Sequence, residues 1–265
     1  MPSPIALVTG AARGIGEAVA RRLHADGAVV WCTDLRDAEV DAVARSLGAR
    51  ARARHLDVRE EGDWQAVMDE LLATDGRLDV LVNNAGITGF DPPVPHDPEH
   101  ASLADWQAVL RTNLDGTFLG CRAALRAMRR TGTGSIVNIG SRSGAVGVPG
   151  AAAYAASKAA IANHTRSVAL YAAQQGWSVR CNAIQPAAVR TPMWDPMFAG
   201  ADDPVALEAT FVADIPLRRF ADPAEVAALV AFLASAESGY LTGAVLDLDG
   251  GQRAGLATPP APSSD

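Results

Sequence analysis

Lysine is nearly missing from this chain of 265 residues. Of 23 basic residues only Lys158 is a lysine, and the other 22 are arginine. In an Ala- and Arg-rich chain that avoids lysine, the position that keeps one is expected to need a compact ammonium on a flexible stem. Basic runs are missing too. The formal net charge is -7, with acids and bases interleaved. That leaves no electrostatic footprint for nucleic acid, and the acid excess mainly favours solubility. No apolar stretch approaches the roughly 20 residues of a membrane span. No cationic segment precedes the first apolar run, Ile5–Val8, so a signal peptide is not expected either. Cysteine is scarce and odd in number: Cys32, Cys121 and Cys181 lie far apart in apolar surroundings. They are expected to be buried free thiols of a reducing cytoplasm. The five histidines lack ligand spacing, and no metal is expected.

What is present is alternation. Short runs at Ile5–Thr9, Ala28–Thr33, Arg52–Leu56, Leu78–Val82, Ser135–Ile139, Ser178–Ala183 and Val245–Leu248 read as strands, with Ile5–Thr9 and Leu78–Val82 apolar. Helical spacing fills Gly14–Asp26, Asp37–Leu47, Asp63–Leu72, Leu103–Arg130, Ala152–Gln174 and Pro223–Ala234. Strands alternating with helices predict βαβ units. The expected fold is therefore α/β, a three-layer Rossmann-type doubly wound domain with a seven-stranded parallel sheet. At 49% hydrophobic content the chain supports one large core, so a single domain over 1–256 is expected. The Pro/Ala/Ser-rich end, 257–265, is expected to be disordered. Residues 190–216 break the rhythm with prolines and large apolar side chains, which suits a mobile lid.

Thr9-Gly10-Ala11-Ala12-Arg13-Gly14-Ile15-Gly16 follows the first strand and opens the first helix. Glycines there let backbone N–H groups approach a pyrophosphate at a helix N-terminus. Asp34 ends the second strand, 18 residues after Gly16, where a carboxylate accepts from ribose hydroxyls. Asp34 points to NAD, because a carboxylate there repels a 2′-phosphate. Arg13 and Arg36 point the other way, so NADP is the alternative.

The Thr-Gly-x-x-x-Gly-x-Gly spacing resembles the short-chain dehydrogenase/reductase family. Asn83-Asn84-Ala85-Gly86, Asp57, Asn113, Ser141 and Tyr154-Ala-Ala-Ser-Lys158 follow in the family's order, over residues 5 to about 251. The resemblance implies that Asp57 and Val58 meet the adenine, with Leu35 beside Asp34. It implies that Asn84, Ala85 and Gly86 wall the cofactor, and that Pro186, Val189 and Thr191 pass the nicotinamide. It also implies a tetramer, with a dimer as the alternative, packed through the helices of 103–130 and 152–174 and the last sheet edge. Two departures stand out: Ala187 and Ala188 follow Pro186 where the family often has glycine, and Gly140 precedes Ser141 where it often has serine.

Tyr154 and Lys158 are four apart on a predicted helix and so share a face. An ammonium beside the phenol favours phenolate, which suits Tyr154 as the acid–base for hydride transfer. By the resemblance, Lys158 also donates to the nicotinamide ribose, Ser141 to the substrate oxygen, and Asn113 holds a water that links Lys158 to solvent. Further stretches resemble bacterial 3β/17β-hydroxysteroid dehydrogenases: Leu56-Asp57-Val58 with Asp63-Trp64, Gly120-Cys121 through Ala127-Met128, Gln175-Gly176-Trp177, and Thr191-Pro192-Met193. They imply a small-molecule substrate that is a bulky, cyclic secondary alcohol or ketone. Met193, Trp194, Met197 and Phe198, with Ser143, Val146 and Val148, are the expected pocket. The alternatives are an NADPH-dependent 3-oxoacyl-thioester reductase and, in another class, a non-catalytic cofactor-sensing protein.

Overall fold

The computed structural model describes residues 2–89 and 94–255; the expectation for 257–265 lies outside them. Seven strands, β1 (Ile5–Thr9), β2 (Val29–Asp34), β3 (Ala51–His55), β4 (Val80–Asn83), β5 (Thr133–Ile139), β6 (Ser178–Pro186) and β7 (Val245–Leu248), form one sheet of order β3-β2-β1-β4-β5-β6-β7. Every pairing is parallel, as the alternation of elements predicted. The order reverses direction at β1, between β2 and β4, and this opens a crevice at the carboxyl ends of the strands.

The helices are α1 (Gly14–Ala25), α2 (Asp37–Leu47), α3 (Glu61–Asp75), α4 (Leu103–Leu110), α5 (Gly116–Met128), α6 (Ala152–Gln174), α7 (Asp195–Ala199), α8 (Pro204–Val212) and α9 (Pro223–Ala234). Successive strand residues face opposite sides, and β1 shows the consequence. Ala6 and Val8 pack with Val19 of α1 and Val226 of α9, whereas Ile5 and Leu7 pack with Trp64 and Leu71 of α3 and Met128 of α5. Two apolar cores therefore sandwich the sheet. No helix among the described residues is long and apolar enough to cross a membrane. Helix α9 starts sharply because Asp222 and Glu225 form a reciprocal capping box ahead of Pro223.

One expectation needs correction. Residues 103–130 are not one regular helix, because a π-helical turn at Arg111–Asp115 separates α4 from α5. Residues 190–216 hold α7 and α8, joined by an aromatic cluster of Trp194, Phe198, Phe211 and Phe220. The cysteines are free and buried, Cys32 in one apolar core and Cys121 and Cys181 in the other. Burial pushes the Cys32 thiol up to about 12. Cys121 and Cys181 also share the polar side chain of Asn138, both at 3.6 Å, and Cys181 and His164 beside it hold the Cys121 thiol below its ordinary range.

Candidate active site

The crevice is built by backbone first. Gly10 and Gly14 have φ of +65° and +60°, in the region that disfavours side chains. Gly16 lets α1 close on β1: a Cβ there would stand 2.0 Å from the Gly10 carbonyl oxygen. Thr9 ties the neighbouring strand end, because its hydroxyl oxygen accepts from Asn84 N and Ala85 N, each at 3.0 Å. Asn84 answers by donating to the carbonyls of Thr9 and Gly10. The N-terminus of α1 has no side-chain cap, so its first N–H groups and its dipole face the crevice. Thr191 reaches across to Gly14, 3.4 Å from where a Cβ would stand. Ile15, next to Gly14, is partly buried against the core.

At the end of β2 the buried Asp34 carboxylate accepts from Ala12 N and Arg36 N, both at 3.1 Å. The Arg36 guanidinium lies 3.7 Å from Asp34 and 3.6 Å from Glu39, so its charge is compensated. Arg13 and Leu35 are exposed beside it. At the end of β3 both Asp57 oxygens are gripped by Arg59, whose hydrogen bonds hold the carboxyl below its ordinary range. Val58 is buried against Gly116. On the other side Pro186 closes β6, and Val189 is bridged to Ala221.

Ser141, at the end of β5, and Tyr154 and Lys158, in the first turns of α6, come together. Ser141 lies near enough to Tyr154 to favour its ionised form, while its hydroxyl oxygen accepts from Ser143 N at 3.1 Å. Lys158 Nζ stands 5.5 Å from the Tyr154 ring centroid and donates to the Ile139 carbonyl at 2.9 Å. Burial decides the titration. It pulls Lys158 down to about 8 and pushes the Tyr154 phenol up. The depressed phenol expected from the Tyr–Lys pairing is thus not what the chain alone provides. Loss of solvation at the phenol outweighs the stabilising effect of Ser141.

Asn113 lies in the π-helical turn with no exposure at all. Its amide accepts from Ile87 N at 2.8 Å, donates to Ile87 O at 2.9 Å, and donates to Ser157 at 3.1 Å. Both hydrogens of the side-chain amide are used inside the protein, which fixes its orientation. The open face of Gly86 adjoins both sites: a Cβ there would lie 3.1 Å from Asn113 Oδ1 and 3.5 Å from Lys158 Nζ.

These features fit a dinucleotide: an uncapped helix N-terminus, a carboxylate at the second strand, and a bare glycine facing the lysine. Trp194 and Phe198 spend their rings in the aromatic cluster, and Phe198 is buried. Met193 and Val146 are exposed, while Met197, Val148 and Ser143 are partly buried. Sequence reasoning missed Ser157, Arg59 and the Ile87 backbone. A serine between Tyr154 and Lys158 was a usable signal. The Ile87 peptide left none, because its role is carried by main-chain atoms.

A family model described as enoyl-(acyl carrier protein) reductase matches residues 10–253. The 3-alpha-(or 20-beta)-hydroxysteroid dehydrogenase of Mycobacterium tuberculosis (strain ATCC 25618 / H37Rv) is 42% identical over 253 residues, covering 96% of this chain and 90% of the relative. Cis-4-hydroxycyclohexanecarboxylate dehydrogenase of Sinomonas cyclohexanicum is 42% identical over 254 residues, covering 94% and 96%. The crystal structure of gox2181 superposes with a TM-score of 0.87 at 31% identity, covering 96% of this chain and 97% of that one.

Proposed function

The chain belongs to the short-chain dehydrogenase/reductase family, and on that footing we propose that it moves a hydride between NAD(H) and a bulky, cyclic secondary alcohol or ketone. It is an oxidoreductase of CH–OH donors. The observation that carries the fuller reading is the gathering of Ser141, Tyr154 and Lys158 at one point of the crevice, with the Lys158 ammonium 5.5 Å from the phenol ring and Ser141 near enough to favour the ionised phenol. The bound dinucleotide supplies the hydride-exchanging carbon and, when oxidised, a positive charge beside the phenol.

Tyr154 gives its proton to the developing alkoxide during ketone reduction and takes one from the alcohol during oxidation. Ser141 holds the substrate oxygen, its own orientation set by Ser143 N. Lys158, depressed to about 8 yet mostly protonated at neutral pH, would donate to the ribose of the bound dinucleotide. Asn113 fixes the Gly86–Ile87 wall beside them. NAD is favoured over NADP because Asp34 is fixed at the ribose position and Arg36 is already paired. The cyclic substrate class rests on what the relatives are named for, hydroxysteroids and a hydroxycyclohexane acid.

The exposed Phe118, Leu170 and Tyr171 on α5 and α6 support assembly through that face, as a homotetramer or a dimer. The three free thiols suit a reducing cytoplasm.

The test is turnover of cyclic alcohols, hydroxysteroids and 3-hydroxyacyl thioesters with NAD and with NADP, using Tyr154→Phe as control. We expect NAD-dependent oxidation of ring alcohols, with kcat lower by about 10²–10⁴ in the variant. Preference for NADP and thioesters would favour an acyl reductase. Tight cofactor binding without any turnover would favour a sensing protein.

A further inference from the structure

Ser157 sits between Tyr154 and Lys158 and has no exposed surface. Its hydroxyl donates to the Tyr154 carbonyl at 2.7 Å. A serine that bonds back to the preceding helical turn is common and says little alone. The informative bond is the second one, in which Ser157 accepts from Asn113 Nδ2 at 3.1 Å. It comes from another element, and it completes the Asn113 amide.

That amide has two hydrogens to place and an oxygen to satisfy. The oxygen and one hydrogen grip the two sides of the Ile87 peptide. The remaining hydrogen goes to Ser157. Ile87 follows Gly86, whose bare face lies against Asn113 Oδ1 and Lys158 Nζ. A line of hydrogen bonds therefore runs from the Tyr154 carbonyl through Ser157 and Asn113 to the wall beside Lys158. Because the Ser157 proton is committed to Tyr154, its lone pairs are turned toward Asn113, and the amide can face only one way.

We propose that Ser157 is a positioning residue for proton transfer at Tyr154 and Lys158, acting through the Asn113 amide to hold the Gly86–Ile87 wall in register with the first turn of α6. The proposal rests on the hydride-transfer reading above. With alanine at 157, one Asn113 hydrogen is stranded in a fully buried place. Stranding a buried donor is unfavourable enough to turn the amide away from Ile87. The groups that chemistry needs all remain, but their spacing is no longer held.

The test is a double-mutant cycle on the full chain, with NAD and a ring alcohol that the wild type oxidises. Ser157→Ala is expected to lower kcat about tenfold with KM for the alcohol unchanged, and to do nothing further in an Asn113→Ala background. Ser157→Thr, which keeps the hydroxyl, is expected to recover most of kcat. Equal losses in both backgrounds would overturn the proposal. So would a rise in KM alone, or a loss of folded protein with kcat per folded molecule intact. If the alanine variant does not fold, Ser157→Cys replaces it. Its weaker hydrogen bonding is expected to give an intermediate kcat, and a wild-type kcat would overturn the proposal. Failure of the hydride-transfer reading looks different, since Tyr154→Phe would then keep its turnover.

Discussion

Replacing Lys158 with methionine is expected to make the protein more stable and inactive. Lys158 is 4% exposed, and burial brings its pKa from 10.5 to about 8. The difference of about 2.5 units corresponds to roughly 3 kcal/mol of unfavourable charge burial. Methionine has a similar shape and carries no charge. It does strip the Ile139 carbonyl of a donor, which costs about 1 kcal/mol. The net gain at neutral pH is therefore about 1–2 kcal/mol, or a rise in Tm of a few degrees.

The sign follows from linkage. Below about 8 the lysine is charged in both folded and unfolded chains, and its full cost is present. Between about 8 and 10.5 the folded chain sheds the proton first, so the wild type gains stability as pH rises. The variant has nothing to shed there. Urea unfolding of both proteins across that range should show the variant's advantage largest at neutral pH, shrinking above about 8 and gone by 10.5. A variant less stable than wild type at neutral pH, or a gap indifferent to pH, would refute the reasoning. Turnover should be lost throughout, which would show that this ammonium is kept for chemistry against the interest of the fold.

Two other outcomes test the cradle. Gly16→Ala places a methyl 2.0 Å from the Gly10 carbonyl and 2.6 Å from Asn84 Nδ2. It should destabilise the chain by more than about 3 kcal/mol or prevent folding, and a Tm near wild type would contradict the close packing of α1 on β1. Asp34→Ser removes the carboxylate that repels a 2′-phosphate, so titration with both dinucleotides should move the NADP-to-NAD affinity ratio up by about tenfold. An unchanged ratio would assign the preference elsewhere, with Arg13 the next residue to change.

The order of elements, the parallel sheet and the proposed site residues could be read in the sequence because each leaves a local mark. A strand buried on both faces, such as β1, is largely apolar, helices repeat their apolar positions, and the glycines and the lone lysine stand out by type. The site residues could be proposed because a motif preserves residue identity at fixed spacing. Packing between distant segments leaves no such mark. Trp194, Phe198, Phe211 and Phe220 are spread over 27 residues, and only the folded chain shows that they pack on one another. The π-helical turn at Arg111–Asp115 has helical residues on both sides and no proline to announce it. The Tyr154 titration is the plainest case. Sequence places an ammonium four residues away, but desolvation depends on every neighbouring atom, and it raises the phenol. Residue identity and period are properties of the chain read in order, so sequence alone determined the layers, the glycine-rich turn and the chemical groups. Burial, amide orientation and aromatic contact depend on residues far apart in the chain, so only the tertiary structure decided that Ser157 links the Asn113 amide to the Tyr154 carbonyl.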